Sequence, residues 1–267
     1  MSNVVSTWLA CFAAAGLALA AAQAEDGIVI PAGSVKLVAD FELPEGRGPF
    51  PAVVIIAGTG PQHRNAFHEL TAALNARGIA VLSYDKRGCG QSTGDLSTAT
   101  LGELTDDATA VTAYLKTRRD VGWKRIGLIG MSQGGLMASA IAAKNPAVAA
   151  VVLLGTPFAA YASLAQFSDA VTYNPVSLLR EVTVPVLALT GSLDLQAPAS
   201  ENLPVVRAAL SGNRDVTVTE LPRLNHIFQV AKNGTMEEWN QLNQSAYGNP
   251  SMLRIVGDWL ARRLRRT

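Results

Sequence analysis

The sequence predicts one α/β domain built on a mostly parallel, doubly wound sheet with helices on both faces. Three observations carry this. Short β-branched runs alternate with helix-like stretches along the chain. Several runs, such as Ala52–Ala57 (AVVIIA), are continuously apolar, as strands covered on both faces are. A length of 267 residues with 49% apolar content suits one sizeable core better than two small ones. The same composition excludes global disorder. Lys and Arg total 22 against 21 Asp and Glu, a net charge of +1, so no electrostatic footprint for DNA, RNA or an anionic membrane follows.

Residues 8–22 (WLACFAAAGLALAAA) form an uncharged apolar run, shorter than the ~20 residues of a membrane span. The run ends at Ala22-Gln23-Ala24, a small-x-small pattern, before Glu25-Asp26. Residues 1–24 are therefore expected to be a signal peptide cleaved after Ala24. The folded domain is then 25–267, periplasmic or secreted, with no membrane association after cleavage. No Lys or Arg precedes the run, and an uncleaved anchor is the alternative. Trp8 stands where a lipoprotein signal ending at Cys11 would carry Leu. Without the leader only Cys89 remains, so no intramolecular disulfide is expected, and two cysteines make no Cys-rich zinc site.

Val35–Leu43 alternates apolar and polar residues, the pattern of a half-buried strand. Ala52–Ala57 follows as a central strand, then a helix over Asn65–Arg77 stopped by Gly78, and a buried strand over Ile79–Tyr84. Thr100 and Glu103 have capping-box spacing and open a helix running to about Arg118. Arg125–Gly130 reads as a strand, Gln133–Lys144 as a helix and Val148–Leu154 as a strand. Val184–Thr190 and Asp215–Glu220 complete the strands. Asn249-Pro250 caps the final helix, which ends in arginines. Arg262, Arg263, Arg265 and Arg266 are read as cations favoured at a helix C-terminus rather than as a partner patch. On such a sheet, ligands bind beyond the carboxyl ends of the strands, so the chemistry belongs just after strands.

Gly130-Met131-Ser132-Gln133-Gly134 lies there, between a strand and a helix, and matches G-x-S-x-G in the context that gives the motif meaning. The tight turn lifts Ser132 above the sheet at a helix N-terminus, where the dipole and the Gln133 N–H face developing negative charge. A serine hydroxyl needs a base. On sheets carrying this elbow the acid and then the histidine follow the serine along the chain. Of His63, His68 and His226, only His226 lies after Ser132. His63 and His68 read as surface or helix-end residues, with His63 able to approach the mouth of the site. Asp194, after a strand and a Gly turn, is the candidate acid, and its role is to hold the His226 tautomer. Asp169 is its rival, and Asp85 reads as a turn residue. Gly58-Thr59-Gly60-Pro61 follows the AVVIIA strand and supplies the second oxyanion donor. The expected donors are the N–H groups of Thr59, with one position of latitude, and of Gln133.

Together these residues resemble the α/β-hydrolase superfamily and, within it, a group of bacterial serine esterases. The resemblance rests on Gly58–Asn65 (GTGPQHRN), similar to that group's G-S-G-P-x-x-R-[DN] loop. It rests also on Asp85–Ser92 (DKRGCGQS), the elbow, Gly191–Asp194 and Asn225–Gln229 (NHIFQ). It covers the chain from about residue 50 onward. It implies an eight-stranded sheet and hydrolysis of small-molecule carboxylic esters through an acyl-serine, with Ser132, Asp194 and His226 as triad and neither cofactor nor metal. Peptidase or thioesterase chemistry on the same triad, or an inactive binding protein on the same scaffold, are the alternatives. Relatives carry a large helical cap where this chain has only a short lid segment, 156–183. Lys232–Gly248, with Trp239 and Tyr247, is a candidate for part of the mouth, although packing roles suit those aromatics as well.

Overall fold

The computed structural model describes residues 23–165, 174–242 and 247–265. The expected leader, apart from Gln23 and Ala24, and the rival acid Asp169 lie outside the described residues.

Eight strands form one sheet in the order β1-β2-β4-β3-β5-β6-β7-β8. They are β1 (Gln23–Ala32), β2 (Val35–Leu43), β3 (Phe50–Ile56), β4 (Ala80–Tyr84), β5 (Val121–Met131), β6 (Val148–Leu154), β7 (Val186–Gly191) and β8 (Val216–Leu221). β1 and β2 are antiparallel to each other, β2 is antiparallel to β4, and every remaining pairing is parallel. The α/β prediction therefore holds. The eighth strand, β1, has no clear sequence signature. Its QAEDGIVIPA mixes charges, Gly27 and Pro31, and its register slips between Glu25 and Ile28. An edge strand tolerates all of these.

The apolar runs explain the layers. Along β3, Ala52, Val54 and Ile56 enter one core while Val53, Ile55 and Ala57 enter the other. This is the period-2 alternation of a strand buried on both faces. The first core is closed by α2 (Leu101–Thr117), α3 (Gln133–Lys144), α5 (Pro175–Arg180) and α6 (Ala199–Ala209), through side chains such as Val111, Leu136, Leu179 and Val206. The second is closed by α1 (His68–Asn75) and α8 (Pro250–Leu264), through Leu70, Leu74, Val256 and Leu260. α4 (Phe158–Ala165) and α7 (Met236–Gln241) complete the helices. The α2 capping box forms as expected: Thr100 Oγ1 accepts from Glu103 N–H and Glu103 accepts from Thr100 N–H. α6 escapes sequence reading because Pro204 interrupts it.

The helix expected over Asn65–Arg77 is shorter and begins later. Arg64–Phe67 is a 3₁₀ turn and the α-helix spans only His68–Asn75. Arg64 is fixed outside the helix by Asp40 and Asp85, which sets the entry angle. At the other end the Ala76 N–H caps back onto Ala72 and Leu74, and Gly78 turns the chain at φ 75°.

β4 and β5 lie on opposite sides of β3, so the order reverses at β3. The crevice beyond the carboxyl ends of β3 and β5 is thus a topological switch point, the place where such sheets bind ligands.

Candidate active site

Ser132 stands at that crevice, directly after β5 and at the N-cap of α3. Its backbone has φ 51° and ψ −123°, a conformation unfavourable for a residue with a Cβ. Two hydrogen bonds hold it there: its N–H donates to Leu154 C=O (2.7 Å), and its C=O accepts from Gly135 N–H (2.9 Å). The flanking glycines are required by close approach. A Cβ on Gly134 would strike the carbonyls of Ile56 and Ala57, and one on Gly135 would strike Thr156. The Ser132 hydroxyl does not cap its own helix.

Two backbone N–H groups beside Ser132 are without an acceptor among the described residues. Gln133 N–H, at the first helical position, has no intrahelical acceptor. Neither it nor Thr59 N–H donates to another described residue. Gly58 packs against the nucleophile so closely that a Cβ there would stand 2.9 Å from Ser132 Cβ.

The acid and the histidine come from two loops that are zipped together. Leu193 N–H donates to Leu224 C=O (2.9 Å), and Arg223 N–H donates to Ser192 Oγ (2.8 Å). Asp194, only 2% exposed, sits after β7. Its Oδ1 accepts from Gln196 N–H (3.0 Å) and Ala197 N–H (2.8 Å), and its Oδ2 lies 2.8 Å from His226 Nδ1. With Nδ1 engaged, Nε2 is the free ring nitrogen of His226. The turn carrying His226 is fixed by buried Asn225, whose Oδ1 accepts from Ile227 N–H (3.2 Å) and Gln229 N–H (2.9 Å). Phe228 takes φ 59° to close that turn. No hydrogen bond joins Ser132 Oγ to His226, but both side chains line one cavity.

The cavity measures about 590 Å³. Thr59, Ser132 and His226 line it, together with Gln62, His63, Asn65, His68, Gln196, Trp239 and Tyr247. Of the predicted site residues, Thr59, Ser132 and His226 thus share the cavity; Asp194 is buried behind His226, and Gln133 follows Ser132 at the start of α3 without lining the cavity itself. His63 and His68 are both exposed and both at the rim, so the surface reading and the approach to the mouth hold at once. Trp239 and Tyr247 also line the cavity, and Tyr247 packs on Phe67 with ring centroids 4.7 Å apart. Burial pushes the Tyr247 phenol above its ordinary pKa, and its oxygen accepts from Gln62 Nε2 (3.3 Å).

Asp85 is structural, as its turn position suggested. It is fully buried and accepts from Arg64 N–H (2.9 Å), the Arg64 guanidinium and Gln91 N–H (2.9 Å). It thereby ties the loop after β4 to the loop after β3. Sequence reasoning gave no role to Lys86, Gln62, Asn65 or Gln196, which carry no spacing signal of their own. Among the described residues no cluster of three His, Cys, Asp or Glu is placed to hold a metal, and no helix is long and apolar enough to cross a membrane.

Comparison with known proteins agrees with the fold. Esterase EstD of Thermotoga maritima is 25% identical over 236 residues, covering 70% of this chain and 56% of that protein. The chain spans 56% to 62% of the length of the curated relatives it matches. The fold superposes on Est1E of Butyrivibrio proteoclasticus, solved with ferulic acid bound, at a TM-score of 0.68 and 19% identity, covering 90% of this chain and all of that one. It superposes on the Pyrococcus furiosus esterase Pf2001 at a TM-score of 0.67 and 19% identity, covering 98% and 97%. These likenesses establish the α/β-hydrolase fold. Residues 48–211, more than half of the chain, match the hydrolase family described as serine aminopeptidase, S33, and the chain belongs to that family.

Proposed function

We propose that this protein is a serine carboxylesterase. One observation carries the reading: a single cavity is lined by a strained serine whose hydroxyl does not cap its helix, by Thr59 with an unengaged N–H, and by a histidine backed by a buried carboxylate, and the N–H of Gln133, next to the serine, is unengaged as well. His226 Nε2 takes the Ser132 proton as Oγ attacks the ester carbonyl. The oxyanion is held by Thr59 and Gln133 N–H, and Asp194 keeps the His226 tautomer and stabilises the imidazolium. His226 then protonates the departing alkoxide. Water, deprotonated by His226, attacks the acyl-serine and releases the acid. The esterase relatives support the ester preference.

The family description favours a second reading, an aminopeptidase. A free α-ammonium on the substrate needs a counter-charge. Among the described residues lining the cavity there is no Asp or Glu, and its polar side chains carry hydroxyls, amides, imidazoles, an indole and a phenol. That lining suits a neutral acyl group better. Between β6 and β7 the described chain carries only the short helices α4 and α5, which supports a reduced lid and an open mouth. Export through residues 1–24 to the periplasm or medium belongs to the same proposal, and N-terminal sequencing of the exported protein tests it.

A panel of p-nitrophenyl esters of increasing chain length, set against aminoacyl p-nitroanilides, tests the assignment. Ester turnover with little or no anilide turnover is expected. Preferential anilide cleavage overturns the ester reading.

A further inference from the structure

Lys86 is a buried cation that the mechanism does not use. Its neighbours in the D-K-R-G stretch have ionic partners: Asp85 pairs with Arg64, and Arg87 pairs with Asp107 and Glu103. Lys86 is 2% exposed and makes no ion pair among the described residues. Its ammonium donates instead to two backbone carbonyls, Gly58 C=O at 2.7 Å and Gly60 C=O at 3.2 Å. Withdrawing an ammonium from water without a carboxylate disfavours the charge, and burial pulls the Lys86 pKa below its ordinary value. An apolar side chain of similar length avoids that penalty, so packing gives no reason for a lysine here.

The two carbonyls bracket Thr59. In a trans peptide the C=O of one residue and the N–H of the next point in opposite directions. With Gly58 C=O turned to Lys86, the Thr59 N–H is turned away from it. Gly58 and Thr59 line the cavity with Ser132, and Gly58 lies against Ser132 itself. A charge-assisted bond at the carbonyl also polarises the same peptide unit and strengthens its N–H as a donor.

We propose that Lys86 is a positioning residue for the oxyanion hole, clamping Gly58–Gly60 so that the Thr59 N–H is presented to the tetrahedral intermediate. This rests on the esterase reading above. The clamp acts on the transition state more than on bound substrate, so it belongs in kcat rather than KM.

The test is Lys86→Met, nearly isosteric and neutral, measured on p-nitrophenyl butyrate with active sites titrated by a fluorophosphonate. Losing a whole oxyanion donor costs about 10²–10³ in rate. A misaligned donor is expected to cost about 10- to 100-fold in kcat per titrated site, with KM within about twofold. Affinity for an alkylboronic acid, a tetrahedral mimic, should weaken by a similar factor. A purely structural role predicts a lower melting temperature with kcat per titrated site unchanged, and that result overturns the proposal. If Lys86→Met does not fold, Lys86→Gln, which keeps a shorter neutral donor, decides on the same measurements and should show a smaller loss of kcat. Wild-type protein that neither turns over esters nor takes the label overturns the esterase reading and the Lys86 proposal together. Active wild type with equally active Lys86 variants overturns the Lys86 proposal alone.

Discussion

The two halves of the site are held in place by different physics. The elbow after β5 is positioned by backbone. Ser132 sits where it does because Gly134 and Gly135 let α3 press against the carbonyls after β3 and against Thr156. The acid–histidine half is positioned by side chains. Asp194 is fixed by two N–H donors and the imidazole, and His226 rides on a turn organised by the Asn225 amide. Backbone positioning leaves little room for substitution but leaves an obvious signature. Side-chain positioning is spread over separate loops and leaves a signature only in chain order.

Perturbing each half separates the two. Ser132→Ala should lower ester turnover the most, on the order of 10⁶-fold, while the melting temperature stays near wild type. Undiminished kcat in that variant contradicts the nucleophile assignment. Asp194→Asn should lower kcat by about 10⁴, because the amide favours the wrong imidazole tautomer while its oxygen can still accept from Ala197 N–H. Burst titration with a fluorophosphonate should show intact sites that react slowly. Gly135→Val attacks the backbone half through overpacking against Thr156 and should destabilise by about 1–3 kcal/mol in urea unfolding. Asn225→Ala leaves two backbone N–H groups without their acceptor and should cost about 1–3 kcal/mol, with kcat falling through misplacement of His226. If Asn225→Ala lowers stability but leaves kcat intact, the turn does not depend on that amide for its catalytic geometry. Thr100→Ala, far from both halves, removes the α2 cap and should cost about 1 kcal/mol with no change in turnover.

The same division decides what was legible in the sequence. The apolar runs of β3, β4, β6 and β7 announce themselves because a strand covered on both faces has few polar positions to blur it, here only Ser83 in β4 and Thr190 in β7 besides the terminal Tyr84 hydroxyl. The elbow is readable because only glycines fit against a crossing backbone. The β1 edge strand is not, since one solvated edge permits charges, Gly27 and Pro31. α6 is hidden by Pro204 and held by the packing of Leu203, Val206 and Ala209, whereas α7 is hidden by its shortness and started by the Thr235 cap, with no buried residue of its own. Asp194 and His226 are legible as candidates only from their order after Ser132, since loop residues have no periodicity to read. The contact of Lys86 with Gly58 and Gly60, by contrast, joins loops after two different strands and has no expression in local sequence.

The central claim is that an acyl group passes through Ser132. Mixing the protein with p-nitrophenyl acetate at low temperature, quenching in acid within the first turnover and sequencing the peptides by mass spectrometry tests it directly. The account predicts an acetyl mass increment on the peptide carrying Gly130-Met131-Ser132, located at Ser132 and absent in Ser132→Ala. An acetyl group on another residue, with turnover persisting in Ser132→Ala, contradicts it.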